Sequence, residues 1–167
     1  KFQELKLLAL YVESMSKILL GNIAVSFGTL QCSSAMADEG SERLPDFHGD
    51  YLRSAVRTMD RLRDQLCEFH TRAAGELEFG NSDVTLSMFD RIEELLHADT
   101  GLLERVNKQA EALRREILRV PNSEIQNRIR RGDRAYKDRW QALLSDAIEL
   151  QSVVAQVFQS FSTREER

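Results

Sequence analysis

Residues 136–161 read YKDRWQALLSDAIELQSVVAQVFQSF, and apolar residues recur there at Tyr136, Trp140, Leu143, Ala147, Leu150, Val154, Val157 and Phe161. An α-helix returns every third or fourth residue to one side, so this spacing draws one apolar stripe along a long helix. Such a stripe is unstable facing water and has to be covered by other helices. The rest of the chain supplies three more.

Working outward, helix one is expected over about 2–30, with a stripe of Phe2, Leu5, Ala9, Val12, Met15 or Ser16, Leu19, Ile23 and Leu30. Leu7, Leu8, Leu10, Leu20, Val25 and Phe27 make this stripe wider than two neighbours need. A stripe of that width implies contact with more than one neighbour, or an exposed patch that a missing partner would cover. Ser33–Asp46 keeps no period and holds a glycine and a proline, so it is expected to be a loop. Helix two follows over about 47–77, its seam Leu52, Ala55, Met59, Leu62, Leu66, Phe69 and Ala73, with Asp46 as an N-cap candidate. Gly80 and Asn81 tolerate the left-handed turn that ends it, and Ser82 or Asp83 is expected to cap helix three. That helix is expected to run unbroken over about 84–119 on Phe89, Ile92, Leu96, Asp99, Leu103, Val106, Ala110, Leu113 and Ile117. Pro121 stops it, and Ser123 with Gln126 forms a capping box for helix four, which runs to about Phe161.

The composition agrees with long helices. The chain has 167 residues, 30% of them charged and 42% hydrophobic, and only two prolines. A net charge of −4 is too mild to suggest a nucleic-acid partner. Two cysteines, Cys32 and Cys67, without CxxC spacing, fit a reducing compartment, cytoplasmic or nuclear. Lys6, Glu13 and Lys17 are expected to break up the apolar N-terminal stretch as a bilayer span. The start at Lys1 is read as the edge of an excised fragment of a longer protein.

Helices three and four resemble the second and third helices of a spectrin-type repeat. The likeness rests on IEELLHADTGLLERVNKQAEAL, the proline-marked connection at Val120–Ser123, and Arg139-Trp140 followed by Leu143 and heptad-spaced apolar residues. It covers about half the chain. Helix two lacks the tryptophan of that family's first helix, Gly132 interrupts the start of helix four, and helix one lies outside a single repeat. A second likeness, to BAR-type membrane-shaping bundles, rests on long antiparallel helices with a basic tip.

Candidate sites are few. Arg114, Arg115, Arg119, Arg128, Arg130, Arg131 and Arg134, with Lys137 and Arg139, crowd the hairpin between helices three and four. They would attract acidic protein surface or phosphoinositide headgroups. Leu7, Leu8, Leu20 and Phe27 form the candidate partner-helix face. Arg131-Gly132-Asp133 spells an adhesion tripeptide but falls inside an expected helix. Glu94 and His97 have the spacing of a carboxylate-bridged metal bundle, present once where two copies are needed. Cys67 and His70 lie one turn apart without a third ligand. Trp140 reads as a core anchor whose indole N–H needs a partner. Asp99 has to pair across the bundle or turn outward. Glycine-rich phosphate loops and nucleophile elbows are absent from the sequence.

The resulting expectation is an all-α, elongated antiparallel bundle of four long helices. Residues 1–32 form an N-terminal helix, either the end of a preceding repeat or a fourth bundle member. Residues 33–46 form a loop, 47–162 a spectrin-like three-helix unit and 163–167 a charged tail. The expected function is non-enzymatic, a cytoplasmic scaffold binding cytoskeletal or signalling proteins, with no cofactor, no metal and no nucleic acid. A homodimer is open. The alternatives are a BAR-like dimer on an anionic membrane, or an adaptor capturing a partner helix through helix one.

Overall fold

All seven seam positions expected in helix two are buried: Leu52, Ala55, Met59, Leu62, Leu66, Phe69 and Ala73. In a computed structural model of the chain, the described residues are 2–38, 47–80, 84–98, 100–119 and 134–163. They are helical apart from short turns and contain no strand. Among the described residues there are five helices: α1 Phe2–Asp38, α2 Phe47–Glu78, α3 Leu86–Leu96, α4 Leu102–Arg119 and α5 Arg134–Thr163.

The quoted stripe of α5 is buried from Tyr136 through Val157, and Phe158 joins it. Burial on this scale is the main stabilising force, since each fully buried large apolar side chain contributes about 1.5–3 kcal/mol. The core is one continuous cluster with members from all five helices. Helix α1 belongs to it through Leu5, Ala9, Val12, Met15, Leu19, Ile23 and Phe27. Two ring pairs tie distant segments together: Phe27 stacks on Trp140 at 6.0 Å, and Phe69 meets Phe158 edge-on at 4.8 Å. The buried hydroxyls of Ser16 and Thr58 are satisfied locally, as Ser16 donates to the Glu13 carbonyl and Thr58 to that of Ser54.

Helix α1 packs along α2 and α5, α2 also against α3 and α4, and α4 against α5. Polar pairs record the register: Glu4–Arg72, His70–Glu93, Arg63–Glu104, Arg91–Gln156, Arg105–Asp146 and Arg139–Glu116. Between α2 and α3–α4, and between α4 and α5, residue numbers fall on one side as they rise on the other.

Three expectations are corrected. The loop expected at Ser33–Asp46 is helical through Asp38, an extension of α1, and 39–46 lie outside the described residues. Helix three is not continuous but breaks between Leu96 and Leu102. The break changes the buried set ahead of it: Met88 and Leu95 are buried, while Phe89 and Leu96 are only partly so. A straight helix carrying Leu103 inward would also bring position 99 to the core, and interrupting the helix removes that requirement. Asp99 itself lies outside the described residues. Finally, α3 is capped by Thr85, whose hydroxyl accepts from the Met88 N–H at 3.1 Å, rather than by Ser82 or Asp83. Gly80 has the left-handed φ of +78° expected at the end of α2. Asp46, Pro121, the Ser123–Gln126 box, Gly132 and 164–167 fall outside the described residues, and Thr163 is still helical.

Candidate interaction surface

Helix α1 is apolar on two sides. Its buried residues Leu5, Ala9, Val12, Ser16, Leu19, Ile23 and Ser26 follow a four-three repeat. Two positions further on, about 200° around the helix, lie Leu7, Tyr11, Ser14, Ile18, Gly21, Val25 and Gly28. Leu7 is 67% exposed, and Leu10, Tyr11, Ile18 and Val25 are between 43% and 49% exposed. Between Leu7 and Val25 the charges are Lys17, exposed, and Glu13, half-buried. An added Cβ at Gly21 would meet nothing within 4 Å. At one end this face opens into an α1–α2 groove of about 420 Å³, lined by Leu7, Leu8, Tyr11, Gln65, Glu68 and Arg72.

The residues expected to form a partner-helix face therefore divide. Leu7 is on the surface. Leu8 and Leu20 are partly buried against the core. Phe27 is a correction: it is core, stacked on Trp140, and unavailable to a partner. Leu10 and Val25, counted in the apolar surplus of helix one but not in the partner face, are exposed, and Tyr11 and Ile18 were missed. The offset of two from the buried repeat is the signal that finds Tyr11, Ile18 and Val25.

The apolar window also bears on membranes. Glu4–Gly28 has the length and apolarity of a membrane-crossing helix, with a mean hydropathy of 1.3, so Lys6, Glu13 and Lys17 do not break it up as expected. One third of that window is buried inside the fold.

The basic tip is only partly visible. The end of α4 and the start of α5 come together through the Arg139–Glu116 ion pair. Arg115 and Arg134 are exposed there, and Arg114 is half-buried, 3.5 Å from Glu111. Arg119 closes α4, while Arg128, Arg130 and Arg131 lie outside the described residues, as does the Arg131–Asp133 tripeptide. Two buried polar atoms near this end, Arg114 Nε and Trp140 Nε1, have no hydrogen-bond partner among the described residues. The partner expected for the indole is thus not seen.

The remaining candidates are dispersed. His70 bonds Glu93 at 3.2 Å and stacks on Phe89, and the neighbouring Cys67 is exposed. His97 caps α3, its Nδ1 facing the Thr100 hydroxyl at 3.1 Å. Among the described residues, no three His, Cys, Asp or Glu side chains converge to hold a metal. Comparison of the chain with protein-family models, with curated proteins and with solved structures gave no match.

Proposed function

We propose that this protein is a non-enzymatic, cytoplasmic protein-interaction module, an antiparallel helical bundle that presents the outer side of α1 to another protein. The carrying observation is the exposed apolar set Leu7, Leu10, Tyr11, Ile18 and Val25, on a helix whose opposite side is already spent on the core. A helix apolar all round has to be covered on both sides, and a contiguous exposed patch marks an interaction site. Helix α1 acts here as the fourth bundle member, because it shares one core with α2–α5. On this reading residues 47–162 keep the spectrin-like seam of α5 but depart from that pattern at the α3–α4 break. The protein is a spacer whose partners, cytoskeletal or signalling, are chosen by α1 and by the basic end of α4 and α5.

The test is photo-crosslinking. A photoreactive phenylalanine replaces Leu7 or Ile18 in the expressed protein, with Asp90 on the charged side of α3 as control. Discrete protein adducts from Leu7 and Ile18 but not Asp90 are expected. Their absence refutes the reading. A second reading, a helix held in a membrane, has the hydropathy of Glu4–Gly28 in its favour, and lipid adducts at the same positions would select it.

A further inference from the structure

On the outer side of α2, ahead of the exposed Glu78 on the same arc, runs a stripe of eight exposed charges from Asp50 to Arg72: Asp50, Arg53, Arg57, Asp60, Arg61, Asp64, Glu68 and Arg72. At 3.6 residues per turn they occupy about 120° of the helix circumference. Their order is mixed within one helix: Asp50 and Arg53, Arg57 and Asp60, Arg61 and Asp64, and Glu68 and Arg72 are opposite neighbours, but most neighbours four apart are alike. Arg53, Arg57 and Arg61 follow one another at a spacing of four, as do Asp60, Asp64 and Glu68, and like charges at that spacing repel. Five of the eight find partners in the chain: Asp50 faces Arg53 at 3.9 Å, Asp60 faces Arg63 at 3.9 Å, and Arg72 bonds Glu68 at 2.8 Å and Glu4 at 3.2 Å. Arg57, Arg61 and Asp64 make no ion pair among the described residues. Each half of the stripe holds two positive and two negative charges, the first half with its positive pair inside and the second with its negative pair inside.

Read backwards with the signs exchanged, this string of charges is unchanged. Laid antiparallel on a second copy of itself, Asp50 meets Arg72, Arg53 meets Glu68, Arg57 meets Asp64 and Asp60 meets Arg61, each pairing made twice. The two-fold axis falls between Asp60 and Arg61. The α1 face has the same symmetry in size. About a centre at Ser16, Tyr11 falls over the open Gly21, Ile18 over Ser14, and Leu7 over Val25, so that large residues mostly oppose small ones. The Glu4–Arg72 ion pair and the groove that sets Tyr11 beside Gln65 put Ser16 level with Asp60. Two independent patterns, one of charge on α2 and one of size on α1, thus share one axis.

We infer that the occupant of this face is a second copy of the chain, docked through α1 and α2 by a two-fold axis at the level of Ser16 and Asp60. This rests on the protein-interaction reading above and names its partner. A stable pair buries about 1,200–2,000 Å² in total, and two α1 faces supply on the order of 1,000 Å², with the α2 stripes adding the rest. The match of charges sets the direction and register, and the apolar area of α1 supplies the drive.

The experiment exchanges charges. One variant carries Arg53→Glu and Arg57→Glu, a second Asp64→Arg and Glu68→Arg. Each alone places like charges across the axis, whereas the mixture restores every pairing. Sedimentation equilibrium on the full chain is expected to show a wild-type dimer, at least ten-fold weaker association for each variant alone, and recovery in the equimolar mixture. Recovery excludes misfolding as the cause of the loss. A wild-type chain that stays monomeric at several hundred micromolar overturns the inference, as does a mixture no tighter than its components. If the chain is monomeric while crosslinks at Leu7 and Ile18 capture a different protein, the pairing is wrong and the interaction reading stands. If those positions give no protein adduct, both fall.

Discussion

Gly101 is where a single methyl group should cost most. A Cβ built there would lie 2.5 Å from the His97 carbonyl oxygen, 2.6 Å from that of Leu95 and 3.0 Å from that of Glu94. All three obstacles are backbone at the end of α3, so no flexible side chain can step aside. The same residue joins both helices at the break: its N–H donates to His97 at 3.0 Å, and its carbonyl accepts from the Arg105 N–H at 3.0 Å. Gly101→Ala must displace α3 or α4. Overpacking costs about 1–3 kcal/mol, and weakening two backbone hydrogen bonds adds about 0.5–1.5 kcal/mol each. These ranges sum to about 2–6 kcal/mol, and because partial relaxation of α3 and α4 relieves some of the strain, the lower part, about 2–4 kcal/mol, is expected. Gly75 is the control. A Cβ there meets nothing within 4 Å in the interior of α2, so Gly75→Ala should stabilise by about 0.5–1 kcal/mol. Urea unfolding followed by circular dichroism at 222 nm reads both, at one fixed protein concentration because association would shift the midpoint. With a slope of about 2 kcal/mol per molar urea, the Gly101→Ala midpoint should fall by about 1–2 M. A Gly101→Ala protein within 0.5 kcal/mol of wild type would refute the geometry of the break.

Other substitutions separate core from surface. Phe27→Ala should lose about 3–5 kcal/mol, the cost of removing a buried ring, whereas Leu7→Ser on the same helix should stay within about 0.5 kcal/mol in the monomer; thermal unfolding of the two side by side decides it. A double-mutant cycle on Phe69→Leu and Phe158→Leu should return a coupling of about 0.5–1.5 kcal/mol, as edge-on rings give, and no coupling would mean that the rings do not meet. Arg63→Ala should cost about 0.5–1 kcal/mol by breaking the partly exposed 2.8 Å pair with Glu104. That cost should shrink when the urea titration is repeated in about 0.5 M salt, because a pair this close to solvent is screened.

Much of the core was legible as period. The seam of α2, and that of α5 through Val157, could be read residue by residue, because a buried face repeats at the pitch of the helix whatever it packs against. The α3–α4 break was not legible. Asp99 at a core spacing was its only trace, and Gly101 looks like any other glycine until three carbonyls surround it. For α1, the surplus of apolar residues was visible, but its division was not. Phe27 and Leu7 are equally hydrophobic, yet one stacks on Trp140 and the other faces water. Composition carries no information on which side of a two-sided helix is taken.

The charges of α2 show the same division. Their order is written in the sequence and depends on nothing else. That they form one outward stripe, level with an apolar face on α1, depends on how the two helices are docked. Periodicity is local, since it follows from bond geometry within a few turns, and so the amino-acid order alone determined that the chain is helical and which stripes are apolar. The neighbour of each stripe is set by packing between residues far apart in the chain. Only the tertiary structure decided which apolar side of α1 is spent on the core and which is left for a partner.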